Sequence, residues 1–137
     1  MKILVINGPG TWLLGREDVR NSGNDTLDDI DLRVREKAAD CDIEVDFVRT
    51  NYEGEIIESL YRALEEFDGV ILNAGGYSYS SYAIAEAIEA VGIPVIEVCP
   101  KKERGNLTSV ISPYCAGRIC GFGSSVYTLS IEAFSEF

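Results

Sequence analysis

The stretch "GVILNAGGYSYSSYAIAEAI", residues 69–88, decides the fold because it runs through a strand, a turn and the start of a helix. Its first five residues form a short apolar run, which predicts a buried strand. The segment that follows, 82–91, carries its apolar residues on one helical face: Ile84, Ala87, Ile88 and Val91. A strand that leads into a single helix is the repeating unit of a parallel sheet. The amide and hydroxyl side chains between the two elements are more numerous than a connecting turn requires.

The same alternation extends outward in both directions. Apolar runs predict strands at 2–7, 43–48, 69–73, 93–99 and 118–122. Helical patterns lie between and after them, at 27–39, 54–66, 82–91 and 124–136. Thr26 and Asp29 predict a capping box at the first helix. We therefore expect one α/β domain over residues 1–137, with a flavodoxin-like, doubly wound, five-stranded parallel sheet and helices on both faces.

Composition narrows the classes of function. The 137 residues carry a net charge of −11, which disfavours nucleic acid and anionic membrane surfaces as partners. The chain has no apolar run of membrane-spanning length, and "MKILVING" lacks the features of a signal peptide, so we expect a cytoplasmic protein. Without histidine or a C-x-x-C pair, a metal site is not expected. Three of the four cysteines are predicted to be small buried residues: Cys41, Cys115 and Cys120.

The predicted strand ends indicate a ligand site. Ligands of open parallel sheets bind outside the carboxyl ends of the strands, where Asn7, Asn51, Asn73 and Cys99 fall. Asparagine is a poor strand former, and its amide both donates and accepts hydrogen bonds. A single asparagine is better explained as a helix cap or a turn residue, but its recurrence at three strand ends predicts a site for a small polar ligand.

Other kinds of site match poorly. The stretch "GPGTWLLG" is neither G-x-G-x-x-G nor followed by G-K-[ST], so it does not predict a nucleotide site. The absence of histidine excludes a Ser–His–Asp system. Cys99 is either a nucleophile at the edge of the site or a small residue that fills space there.

Seven motifs occur in order along the whole chain: "INGPGTWLLG" (6–15), "TL" (26–27), "TNYEGEII" (50–57), "ILNAGGYSYSS" (71–81), "IPVIEV" (93–98), "SVIS" (109–112) and "GRICGFG" (117–123). In this the sequence resembles type II 3-dehydroquinate dehydratase. The resemblance implies a flavodoxin-like fold, trimers that assemble into dodecamers, and no cofactor. It also implies a tyrosine base activated by an arginine, an asparagine that stabilises the enolate, and an acid histidine oriented by a glutamate.

The sequence departs from that family at the catalytic positions. Ser22 stands at the position of the tyrosine base, and Glu17 stands at the position of the arginine that activates this base. Arg16 replaces that arginine only if the loop shifts. Cys99 stands at the position of the acid histidine, whose orienting partner is kept as Glu97. Three further replacements concern ligand binding. Gly10 replaces the asparagine that stabilises the enolate, and Tyr79 and Tyr52 replace two histidines. Arg104 is the nearest remnant of a substrate-binding arginine.

These departures lead us to expect a repurposed lyase or isomerase that acts on a small hydroxylated carbonyl or carboxylate compound and has little or no 3-dehydroquinate dehydratase activity. The alternatives are a non-catalytic small-ligand binder and a genuine dehydratase with a rearranged site. The candidate catalytic residues are Tyr52, Glu53, Tyr79, Glu97 and Cys99. The candidate ligand-binding residues are Asn7, Gly10, Arg16, Ser22, Asn51, Asn73, Gly75, Tyr77, Ser81, Arg104, Ser109 and Ile111.

Overall fold

The computed structural model describes residues 1–16, 18, 23–102 and 105–137. Within them the sheet has five strands, all parallel, in the order β2-β1-β3-β4-β5. The strands are β1 (Lys2–Asn7), β2 (Glu44–Arg49), β3 (Gly69–Asn73), β4 (Val95–Cys99) and β5 (Gly117–Cys120). The helices are α1 (Leu27–Asp40), α2 (Glu53–Glu66), α3 (Tyr82–Val91) and α4 (Ser125–Ser135). This order is the flavodoxin-like order, so the predicted fold class is confirmed.

Each face of the sheet is covered by two helices, because the strands are apolar on both sides. Leu4, Ile6 and Leu72 pack under α2 and α3. Ile3 and Val5 point to the opposite face and pack under α1 and α4. Buried residues that alternate between two cores along one strand are the mark of a sheet enclosed on both sides. The carboxyl ends of the strands are left open to carry a site.

The predicted elements are present, and their boundaries move for local reasons. Strand β4 begins at Val95 because the preceding Pro94 has no N–H to donate to the sheet. Strand β5 ends at Cys120 because Gly121 has φ 85° and Phe122 has φ 61°, which turn the chain out of the extended conformation. The capping box is confirmed: Asp29 N donates to Thr26 Oγ1 at 3.1 Å, and Thr26 N donates to Asp29 Oδ2 at 3.0 Å.

The cysteines are less buried than predicted. All four side chains are thiols with intermediate exposure. Cys41 and Cys115 pack at the margins of the two cores, whereas Cys120 belongs to neither. The prediction that these three cysteines are small buried residues therefore holds only in part for Cys41 and Cys115, which are partly buried, and is wrong for Cys120. Cys120 is the last residue of β5, at the carboxyl ends of the strands, where the loops begin. Among the described residues, no helix is long and apolar enough to span a membrane.

Candidate active site

A cavity of about 250 Å³ opens at the carboxyl ends of β1, β3 and β4. Five of the predicted site residues line it: Gly10, Asn73, Gly75, Tyr79 and Cys99. The structure thus brings together residues from the segments after three different strands. A cleft at this edge of a parallel sheet is where ligands of such folds bind.

Close backbone contact between the loops after β1 and β3 forms the floor of the cavity. Gly8 N donates to Asn73 O at 2.7 Å. Gly75 has φ +59°, and a Cβ atom built on it would lie 2.5 Å from Pro9 O. A side chain at Gly75 is therefore excluded by sterics as well as by its left-handed backbone conformation. These glycines set the distance between the two walls.

Asn7 and Asn73 are paired in the β1–β3 register, and Tyr127 of α4 joins their side chains. The Tyr127 hydroxyl donates to Asn7 Oδ1 at 2.6 Å and accepts from Asn73 Nδ2 at 2.9 Å. Asn73 Oδ1 also accepts from Gly75 N at 3.1 Å. Burial raises the pKa of Tyr127 well above its usual range, so its hydroxyl stays protonated. Asn7 is fully buried beneath the site, while Asn73 reaches the cavity wall.

Tyr79 is the aromatic residue on the cavity wall, at the end of the 3₁₀ turn Gly75–Tyr79. Burial raises the pKa of its phenol and the neighbouring Cys99 adds to this effect, whereas the charge and hydrogen bond of Arg118 oppose it. A phenol with a raised pKa is protonated near neutral pH. Tyr79 therefore presents a hydrogen-bond donor to the cavity rather than a phenolate.

Arg118 connects Tyr79 to a buried carboxylate. Glu97 and Arg118 are neighbours in the β4–β5 register, and Arg118 Nε lies 3.2 Å from Glu97 Oε1. Glu97 has no exposed surface, and Ser109 Oγ lies 2.9 Å from both of its oxygens. The carboxylate holds the guanidinium in place through this ion pair. Glu97 thus orients Arg118, which acts on Tyr79, and does not face the cavity itself.

Cys99 ends β4 on the cavity wall, and its thiol donates to Lys101 O at 3.2 Å. Lys101 and Lys102 also line the cavity. Two lysines beside a cleft favour an anionic group there, even in a chain of net charge −11. The rim therefore fits a ligand that carries a carboxylate.

The other candidate residues serve the frame around the cavity. Ser81 caps α3 by accepting from Ile84 N at 3.0 Å, and its hydroxyl donates to Glu53 at 2.6 Å. The Tyr77 hydroxyl donates to the backbone oxygen of Asn51 at 3.1 Å. Tyr52 is 68% exposed at the start of α2, outside the cavity. The contacts of Ser81 with Glu53 and of Tyr77 with Asn51 tie the start of α2 to the turn before α3.

Four further candidates lie apart from the cavity or outside the described residues. Ile111 is a fully buried core residue, next to the Ser109 that contacts Glu97. Arg16 is exposed and forms an ion pair with Asp18. Ser22, Glu17 and Arg104 lie outside the described residues, so the positions assigned to the base, its activator and the loop arginine stay predictions.

Sequence reasoning missed three side chains that matter for the site. Lys101 and Lys102 follow Cys99 directly, and two lysines after a strand that ends at a site were a signal that pointed to anion binding. Arg118 lies within the motif "GRICGFG", but that motif alone does not show that β5 sets it beside Glu97 and that it acts on Tyr79. Among the residues that the structure describes, no group of three or more cysteine or acidic side chains is arranged to hold a metal ion.

Comparison with known proteins gives full-length matches. The family model described as Dehydroquinase class II matches residues 1–135. The 3-dehydroquinate dehydratase of Caldicellulosiruptor bescii is 41% identical over 140 residues, with 98% of this chain and 97% of that protein covered. The enzyme of the same name from Pelotomaculum thermopropionicum is 39% identical, with 97% and 95% covered. The crystal structure of a type II dehydroquinase from Butyrivibrio crossotus superposes with a TM-score of 0.91 at 36% identity, covering 97% of this chain and 96% of that one.

Proposed function

The chain belongs to the class II dehydroquinase family, and we propose on that premise that it catalyses the dehydration of 3-dehydroquinate. The observation that carries the proposal is the similarity to proteins named 3-dehydroquinate dehydratase, at about 40% identity over nearly the full length of both chains. The cavity at the carboxyl edge of the sheet supports it, because it combines a lysine-lined rim with proton-transferring groups. The trimer-based oligomer implied by the family resemblance stays a prediction.

The expectation of a repurposed lyase or isomerase with little or no dehydratase activity is contradicted by these similarities. They favour the alternative of a genuine dehydratase with a rearranged site. The expectation was wrong because it equated the loss of particular residue types at motif positions with the loss of the reaction. Proton transfer requires a group of suitable chemistry at the reacting atom, and several side chains supply one.

Dehydration of a hydroxy ketone defines what the cavity must provide. A base removes the proton next to the carbonyl, a donor protonates the departing hydroxyl, and donors stabilise the negative charge that develops on the carbonyl oxygen. The substrate also carries a carboxylate, which Lys101 and Lys102 are placed to bind at the rim.

Tyr79 and Cys99 are the pair that we assign to proton transfer. Tyr79 is kept protonated by burial, so its role is that of a donor to the departing hydroxyl or to the enolate oxygen. Cys99 supplies a second side chain on the same wall that can exchange a proton, and we assign the role of the base to it. Arg118, held by Glu97, is a positioning residue that fixes the phenol of Tyr79 by a hydrogen bond.

The test is the formation of 3-dehydroshikimate from 3-dehydroquinate, followed by the ultraviolet absorbance of the conjugated product. We expect turnover by the unmodified chain. Tyr79→Phe and Cys99→Ser should each lower kcat by about 10²–10⁴-fold, the usual worth of one acid–base group. The matched controls are Tyr82→Phe, at a tyrosine that is 72% exposed on α3, and Cys41→Ser at the far end of α1.

The proposed reaction and the assignment of the proton-transferring pair are refuted by different results. Absence of product from the well-folded chain would overturn the proposed reaction. Full turnover by both Tyr79→Phe and Cys99→Ser would leave the reaction in place and overturn the assignment of the proton-transferring pair.

A further inference from the structure

We propose that Cys99 and Cys120 form a redox-sensitive dithiol that closes to a disulfide at the mouth of the cavity. The two residues are paired in the register of β4 and β5, at the last position of each strand. Neighbouring strands lie about 4.7–4.9 Å apart, which falls in the range of roughly 4.4–6.8 Å between the Cα atoms of bonded cysteines. Because paired residues of parallel strands point to the same face, both thiols project from one side of the sheet.

The positions of the sulfur atoms support this reading. Cys99 Sγ lies 3.2 Å from Lys101 O, and Cys120 Sγ lies 3.3 Å from the same oxygen atom. Because both sulfur atoms contact the same oxygen atom, the distance between them is no greater than the sum of these two distances. Both thiols also act on the phenol of Tyr79, whose pKa they raise in addition to the effect of burial.

The surroundings make this pair more reactive than the other cysteines. Both thiols are partly exposed, and Lys101, Lys102 and Arg118 bring positive charge to this end of the sheet. These cations favour the approach of an anionic disulfide such as glutathione disulfide.

The two remaining cysteines serve as internal controls. Burial, with Glu97 as the next cause, raises the pKa of Cys115 to about 12, so its thiol stays protonated near neutral pH. Cys41 follows α1 at the amino end of the sheet, apart from the cavity. Neither residue is paired with another cysteine in the strand register.

The step is a thiol–disulfide exchange with glutathione disulfide as the oxidant. One thiolate attacks the glutathione disulfide, its sulfur–sulfur bond breaks, and one glutathione leaves as a thiol after taking up a proton. The second thiolate then attacks the mixed disulfide and releases the second glutathione. The two cysteines lose two electrons and two protons, and one glutathione disulfide becomes two glutathione molecules. Cys99 is thereby withdrawn from the cavity, so the effect on turnover rests on the proposed function.

The experiment equilibrates the native full-length chain with glutathione disulfide, traps remaining thiols by alkylation, and maps the cysteines by mass spectrometry. We expect a chain lighter by two hydrogen atoms, with the peptides of Cys99 and Cys120 joined. Cys41→Ser should behave in the same way. Cys120→Ser and Cys99→Ser should stop at a mixed disulfide with glutathione. Native chain that keeps both thiols, or joins neither to the other, overturns the inference.

Turnover gives a second readout that separates the inference from the proposed function. If the chain is an active dehydratase, oxidation should lower its kcat at least tenfold, and reduction should restore it. Cys120→Ser should keep its turnover under reducing conditions, because Cys120 has no part in the assigned chemistry. With glutathione disulfide it should lose turnover only through the mixed disulfide on Cys99, and reduction should restore it. An oxidised chain with full turnover would refute control of the cavity. If the chain has no dehydratase activity, the mapped disulfide still decides the inference about Cys99 and Cys120.

Discussion

Tyr127→Phe removes a single oxygen atom that joins two asparagines beneath the cavity. The Tyr127 hydroxyl donates to Asn7 Oδ1 at 2.6 Å and accepts from Asn73 Nδ2 at 2.9 Å. The phenyl ring stays in the core and leaves no large cavity. The substitution therefore tests the hydrogen bonds and not the packing of α4 against the sheet.

The expected cost follows from the burial of the two groups that lose a partner. An unsatisfied buried polar group costs about 1–3 kcal/mol. Asn7 Oδ1 belongs to a fully buried side chain, so its cost lies toward the upper end. Asn73 lines the cavity, where water can take the place of the hydroxyl, so its cost lies toward the lower end. We expect the free energy of unfolding to fall by about 2–4 kcal/mol in total.

The measurement is urea unfolding at pH 7, followed by far-ultraviolet circular dichroism. The matched control is Tyr61→Phe on α2, where the side chain is 52% exposed and the change should stay within about 0.5 kcal/mol. If Tyr127→Phe is as stable as this control, the two asparagines do not depend on the phenol. The account of how the floor of the site is held would then be wrong.

Two further predictions concern the stability of the folded chain: one tests Gly75 on the cavity wall, and the other tests Cys115 at alkaline pH. Gly75→Ala should destabilise the chain by more than about 2 kcal/mol, because its Cβ would lie 2.5 Å from Pro9 O at a φ of +59°. Gly76→Ala, where nothing lies within 4 Å of the new Cβ, should cost far less, and equal unfolding midpoints for the two variants would contradict the steric argument. The folded chain holds the pKa of Cys115 at about 12, above the usual 9.0. Its thiol ionises first in the unfolded chain, so its contribution to stability is intact below pH 9 and is lost as the pH rises toward 12. Cys115→Ala should show a shallower loss of stability over this window, by at most about 1.4 kcal/mol per pH unit, and an unchanged slope would contradict the assignment.

The fold was predictable because its signals are local and repeat along the chain. Apolar runs and helical stripes placed all nine elements within a few residues, and the alternation of strands and helices indicated the parallel sheet. The boundary errors arose where single residues override the apolar pattern. Pro94 delays β4, and the left-handed backbone at Gly121 and Phe122 ends β5 early.

The site was predictable only in part, because its contacts depend on register and on distant segments. The rule for the edge of a parallel sheet pointed to Asn7, Asn51, Asn73 and Cys99, of which Asn73 and Cys99 line the cavity. No local pattern reveals that Tyr127 joins two asparagines more than fifty positions away. Arg118 likewise reaches Tyr79 only because β5 pairs with β4 in a particular register.

The lysines at the rim of the cavity matter for an anionic ligand even though the net charge of the chain is strongly negative. A net charge of −11 would repel an anionic substrate if every carboxylate acted at full strength. At physiological ionic strength, however, charges in solvent are largely screened beyond about 8 Å. Lys101 and Lys102 line the cavity itself, so they are the charged residues on its wall that an anionic group would meet. On the proposed function, they offset the acidic surface locally, which makes an anionic substrate compatible with an acidic protein.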